Sequence, residues 1–127
     1  MSALYTAAAT ANGREGRAVS SDGQLDLTLA FPPALGGNGK GTNPEQLFAA
    51  GYAACFASAL GLVGRQAKVD TGEISVTAEV SLNPDGDQGF ALSVVLRVEL
   101  PEEFQNETGQ SLVEAARGNI PVELVVE

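Results

Sequence analysis

The sequence predicts a single sheet-and-helix domain made mostly of strands, and three observations carry this expectation. Two runs of strict apolar-polar alternation flank a turn-rich stretch, an uncharged apolar segment opens on helix-start residues, and a further alternating run lies near residue 120. With 127 residues, 44% of them hydrophobic, the chain fits one domain able to bury its own core.

From Glu73 to Leu82, the residues Ile74, Val76, Ala78, Val80 and Leu82 share one face, while Ser75, Thr77, Glu79 and Ser81 share the other. That period of two belongs to a half-buried strand. After the turn-rich Asn83-Pro84-Asp85-Gly86-Asp87, the alternation resumes with Phe90, Leu92, Val94, Leu96, Val98 and Leu100 until Pro101 stops it. The two runs read as an antiparallel hairpin. Ile120, Val122, Leu124 and Val126 predict a last strand, and Leu4 to Ala11 and Leu25 to Ala30 are further strand candidates. The first helix is announced by Asn43 as cap, Pro44 at the first helical position and Gln46 as capping-box partner, and runs to about Gly64. A second spans roughly Gln105 to Ala116 on the apolar stripe Leu112, Val113 and Ala116, with Gly109 counting against it. The Gly-rich run from Gly36 to Gly41 predicts a flexible loop leading into the first helix.

Seven Lys and Arg against 16 Asp and Glu leave a net charge of −9, which argues against nucleic acid, since phosphate backbones are held by clustered cations. The start MSALYTAAATANG lacks a basic region followed by an apolar core and does not read as a secretory signal. One cysteine offers no internal disulfide framework, so the reducing cytoplasm is the expected compartment. No histidine is present, which removes Ser-His-Asp and Cys-His catalysis and His-containing zinc sites. Neither a metal constellation nor a cofactor motif is visible.

Leu47 to Gly64 carries no charge, so a membrane span has to be weighed against a buried helix. Its Ala and Gly content, and its place in a chain otherwise patterned as soluble sheet, favour the buried helix. A helix apolar all round needs cover on every side, which one small sheet does not supply. Part of that cover is expected from a second subunit.

Cys55 lies in the middle of this helix, where a cysteine by itself is more often packing than nucleophile. A working thiolate there needs a nearby cation, because the helix N-terminus is several turns away. The candidates are Arg14, Arg17, Lys40, Arg65, Lys68, Arg97 and Arg117. The loop GGNGKGT is not a phosphate-binding loop, because Gly41 separates Lys40 from Thr42. The pairs Glu102-Glu103 and Asp85/Asp87 read as solvated surface.

The run GTNPEQLFAAGYAACF (residues 41–56), with GREGRAVSSDG before it and RGNIPVELVV after it, closely resembles the organic hydroperoxide resistance proteins of the OsmC/Ohr superfamily. The resemblance implies an α+β fold, with antiparallel sheets wrapped around long central helices in an intertwined homodimer. It implies a thiol-dependent peroxidase for alkyl or lipid hydroperoxides, needing no bound cofactor and reduced by an external dithiol such as a lipoylated protein. By position, Cys55 matches the peroxidatic cysteine, Arg17 in GREGRA the arginine holding its thiolate, and Glu45 in NPEQ the carboxylate orienting that arginine. Without the resemblance, Arg17 reads as a surface partner of Glu15, and Glu45 as a favourable first-turn charge.

Glu45 and Cys55 are ten residues apart, about 15 Å along a straight helix, so a Glu–Arg–Cys chain needs the long arginine as a bridge or a contribution from a partner subunit. The expectation is an active site shared across the dimer. Leu47, Phe48, Phe56, Leu60 and Phe90 are candidates for an apolar mouth, though core is the commoner use of such residues. The family's second cysteine, in a Val-Cys-Pro-Tyr-Ser-like stretch, has no counterpart here, since Ala116 runs directly into Arg117. Its absence leaves three expectations for the resolving step: rescue by an external thiol, lost turnover, or further residues between Ala116 and Arg117 that this sequence does not carry. The competing expectation is a non-catalytic dimer of the same fold in which Cys55 only packs.

Overall fold

The computed structural model describes residues 3–87, 89–117 and 123–127. The chain divides into two compact units, Met1–Leu47 and Phe48–Glu127, each with its own three-stranded sheet.

In the first unit, β1 (Ala9–Ala11), β2 (Gly16–Ser20) and β3 (Asp26–Leu29) pair antiparallel in that order. The two strand candidates shorten to β1 and β3, and β2 is a strand that the sequence did not announce. Its GRAVS places only one apolar side chain, Ala18, in the buried interior, so no alternation marks it. Ala18 and Leu29 are the buried hydrophobic residues of this unit. The Gly-rich loop is more ordered than its composition suggests. Pro33–Leu35 forms a turn of 3-10 helix, Gly37 and Gly39 donate to the Pro32 and Phe31 carbonyls, and Thr42 donates to Thr28 at 2.9 Å. Gly41 lies so close to β3 that a Cβ there would meet the Thr28 carbonyl oxygen at 2.6 Å. Glycine serves close packing in this loop as much as freedom.

Helix α1 (Pro44–Gln66) starts as the sequence predicts and ends two residues later. The Gln46 amide donates to Asn43 Oδ1 at 2.9 Å, which satisfies one orphan donor of the first turn. The expected return bond from Gln46 is replaced by another, since its Oε1 accepts from the Thr42 hydroxyl at 2.8 Å. At the far end, Lys68 donates to Arg65 and Val69 to Gly64, the double bond pattern of a Schellman cap, with Lys68 left-handed at φ 60°. Gly64 permits the following chain to fold back, because a Cβ there would meet Thr71 Cγ2 at 2.9 Å.

In the second unit, β4 (Ser75–Asp85) and β5 (Gly89–Glu99) form the expected hairpin, and β6 (Glu123–Val126) pairs parallel to β5. β4 runs through the stretch taken for a turn, pairing Pro84 with Phe90. Because β4 is an edge strand, proline's missing donor removes no ladder bond on its open side. Ile120 and Val122 of the expected last strand lie outside the described residues. Helix α2 (Glu107–Arg117) begins after Asn106, whose Oδ1 accepts from Gly109 at 3.2 Å. Gly109 counted against this helix, yet it is buried, and a Cβ on it would run into the Phe104 carbonyl and the Leu100 side chain. The close approach offsets the poor helix propensity.

The core of this unit joins Phe56 and Leu60 of α1, Leu96 and Val98 of β5, Leu100, and Leu112 and Val113 of α2. Tyr52 and Val63 extend the α1 stripe, with β4's Val76 and Ala78 packed beside it. Only Phe56, Leu60 and Gly64 of α1 are buried, so its own unit covers one stripe rather than the whole helix. The helix is long and apolar enough to cross a membrane by length and composition. Its uncovered side carries Phe48, Gly51, Cys55, Ser58 and Leu62, a spacing of three and four that keeps these five residues on one face.

Candidate active site

Glu45 is the second residue of α1, where the helix dipole favours a negative charge. Its carboxylate accepts two bonds from Arg14, at 2.8 Å from Nη1 and 2.7 Å from Nη2, a fork that fixes the guanidinium plane. The pairing expected between Glu45 and Arg17 is therefore not made. Arg17 points along the exposed face of β2 and bonds Asp26 of β3, with Nε at 3.0 Å from Oδ1. The register explains this choice, since Arg17 faces Thr28 and Asp26 is its diagonal neighbour on β3. Glu15, the sequence-neighbour alternative, is not its partner either.

The Arg14 fork holds the Glu45 carboxyl below its usual range, against a smaller opposing effect of burial. A carboxyl depressed on folding adds stability above its unfolded value near 4.5, and that stability is lost as pH falls through the folded value. Glu45→Gln is expected to lower stability by on the order of 1 kcal/mol at neutral pH and to flatten the acid limb below pH 4.5. Urea melts of both proteins between neutral and acid pH check this. A variant that loses stability in parallel with the parent across the acid range would contradict it.

Cys55 is a free, exposed cysteine on the uncovered side of α1. Tyr52 lies three residues before it, and Phe48 meets the Tyr52 ring edge-on, with centroids 5.7 Å apart. The Tyr52 hydroxyl is buried and has no hydrogen-bond partner among the described residues. Burial raises the Tyr52 pKa first, and the charge of Cys55 raises it further. Sequence reasoning passed over Tyr52 because an aromatic residue on an apolar helix reads as packing. The expected apolar mouth separates into parts, since Phe56 and Leu60 are core whereas Phe48 and Phe90 are exposed. Among the described residues, no three His, Cys, Asp or Glu side chains gather to hold a metal. A cleft of about 530 Å³ at the end of α1 is lined by Arg65, Lys68 and Thr71 and lies away from the thiol's helix neighbours.

The family model for OsmC-like protein matches residues 37–127. An organic hydroperoxide resistance protein of Xanthomonas axonopodis pv. citri is 48% identical over 136 positions, covering 97% of this chain and 94% of that one. That alignment is longer than the chain itself, so the relative carries residues that this chain lacks. The organic hydroperoxide resistance protein OhrA of Bacillus subtilis is 49% identical over 93% of the chain and 85% of its own length. Among solved structures, one from Elizabethkingia anophelis superposes with a TM-score of 0.87 at 44% identity, covering 100% of this chain and 99% of that one. The Bacillus subtilis OhrB structure gives 0.82 at 40% identity over 98% and 100% of the two chains.

Proposed function

Because the chain belongs to the OsmC-like family, among its organic hydroperoxide resistance proteins, we propose that it reduces organic hydroperoxides to alcohols as a cysteine peroxidase defending against oxidative stress. The reading rests on one observation above the others: the sequence's one thiol stands exposed on α1, within the segment that carries the family resemblance. Cys55 is the nucleophile. Its sulfur attacks the terminal peroxide oxygen, the O–O bond breaks, and the products are a cysteine sulfenic acid and the alcohol. Arg14 takes the part first given to Arg17, because it is the guanidinium that Glu45 orients. An aligned guanidinium stabilises a thiolate and offers N–H donors to the peroxide oxygens.

The exposed stripe on α1 is the surface a second copy covers, which makes the working form a homodimer with shared active sites. An apolar surrounding of this kind favours alkyl and lipid hydroperoxides, whose carbon tails gain burial that hydrogen peroxide lacks. With one cysteine in the sequence, the sulfenic acid cannot close to a disulfide within the chain, so an external dithiol, of which a lipoylated protein is an example, restores the thiol. The expected setting is the cytoplasm.

The single cysteine also favours one other reading, a non-catalytic dimer of the same fold. Stopped-flow oxidation by cumene hydroperoxide separates the two. Cys55 is expected to oxidise at least about 10²-fold faster than free cysteine, with no reaction in Cys55→Ser. Thiol loss at the free-cysteine rate favours the non-catalytic dimer.

A further inference from the structure

The reaction proposed above leaves a proton to be supplied. When the Cys55 sulfur takes the terminal oxygen, the other oxygen departs as an alkoxide, a base far stronger than any neutral-pH leaving group. No histidine is present to act as the acid. The Arg14 guanidinium holds its protons more tightly than usual, through its bonds to Glu45, and so it can polarise oxygen without donating a proton.

Tyr52 has the properties this step lacks. It sits three residues from Cys55 on α1, the spacing at which helical side chains are neighbours. Its ring is fixed between the core cluster and the edge of Phe48. Its hydroxyl is shielded from solvent and has no partner among the described residues, although a buried phenol ordinarily finds one. Burial, and to a lesser extent the charge of Cys55, raises its pKa from the ordinary phenol value, so it keeps its proton at neutral pH. A held O–H with no acceptor among the described residues, three residues along the helix from the reacting sulfur, is a donor prepared for a group that arrives with the substrate.

We propose that Tyr52 is a catalytic residue, the donor that hydrogen-bonds the hydroperoxide at Cys55 and protonates the departing alkoxide. The assignment rests on the peroxidase function proposed above. In the step, the thiolate lone pair forms the S–O bond as the O–O bond breaks. Sulfur is oxidised by two electrons to the sulfenic acid, the peroxide is reduced by two, and the alkoxide takes the Tyr52 proton to leave as the alcohol. The phenolate recovers its proton from water.

The test is Tyr52→Phe, which keeps the ring and removes the unpartnered oxygen, so the fold is expected to be at least as stable as the parent. Three reactions of Cys55 are timed in both proteins: oxidation by cumene hydroperoxide, oxidation by peracetic acid, and alkylation by iodoacetamide. Acetate and iodide leave without needing a proton, whereas the cumyl alkoxide needs one. The expected result is a loss of about 10²-fold with cumene hydroperoxide, with the other two rates unchanged. Equal slowing of all three would assign Tyr52 to the thiol's surroundings and overturn the donor role. An unchanged cumene hydroperoxide rate would also overturn it, while leaving the peroxidase intact. A parent protein inert to the hydroperoxide would remove the peroxidase function and Tyr52's part in it together.

Discussion

Arg14→Ala is expected to slow oxidation of Cys55 by cumene hydroperoxide by about two to three orders of magnitude, the usual effect of deleting one oriented donor from an active site. Arg17→Ala is expected to change the same rate by less than about threefold, because an exposed surface pair holds little energy and orients nothing beyond itself. The contrast follows from what each guanidinium touches. Arg14 spends two N–H groups on the Glu45 carboxylate, which leaves the rest of a rigid fork aimed by a helix terminus. Arg17 spends Nε and Nη2 on Asp26 across the exposed face of the first sheet. Arg14→Lys is expected to restore little, since an ammonium cannot make the two-point contact that sets direction. Glu45→Gln should fall between wild type and Arg14→Ala, as the amide retains one acceptor but loses the charge. Single-turnover stopped-flow on the four variants decides the matter. Loss of rate in Arg17→Ala, with Arg14→Ala unaffected, would return the role to Arg17.

The two arginines also show where sequence reading stops. GREGRA places them three residues apart, and nothing in that string says which one reaches a carboxylate at residue 45. The deciding fact is β2. Once Gly16–Ser20 is a strand paired with Asp26–Leu29, Arg17 acquires an acidic diagonal neighbour, while Arg14 precedes the strand and is free to turn elsewhere. β2 itself was hidden because its buried face holds a lone alanine and no alternation. The hairpin, by contrast, was legible because every second residue of β4 is half-buried, with Val76 and Ala78 packed on the core, and a slip of one would turn Val76, Ala78, Val80 and Leu82 to the open face together. Helix α1 was legible from its cap. Gly109 was misread as a weakness for the reverse reason: propensity is a local property, and the Phe104 carbonyl that requires a glycine there comes from tertiary packing.

Leu62→Glu is expected to convert the proposed dimer to monomers at micromolar concentration and to reduce the proposed peroxidase activity with it. Leu62 is 48% exposed and Phe48 46% in the single chain, at the two ends of a stripe whose middle is Cys55. Two side chains of this size each contribute about 1.5–3 kcal/mol when fully covered. Both are already about half covered within the single chain, and in a two-fold interface each counts twice, so together they would contribute roughly 3–6 kcal/mol toward association. Gly51 and Ser58 between them present little bulk, which would let a partner helix approach closely along the line of the thiol in the proposed dimer. A glutamate at 62 would place two unpaired charges in that contact, at a desolvation cost of several kcal/mol, which corresponds to at least about a thousandfold weaker association. Sedimentation equilibrium measures it directly. The same variant tests whether the site needs both copies, because Cys55 lies on the stripe that the proposed association would cover: if monomeric Leu62→Glu oxidises at the wild-type rate, the thiol's activation comes wholly from its own chain and the shared site is wrong.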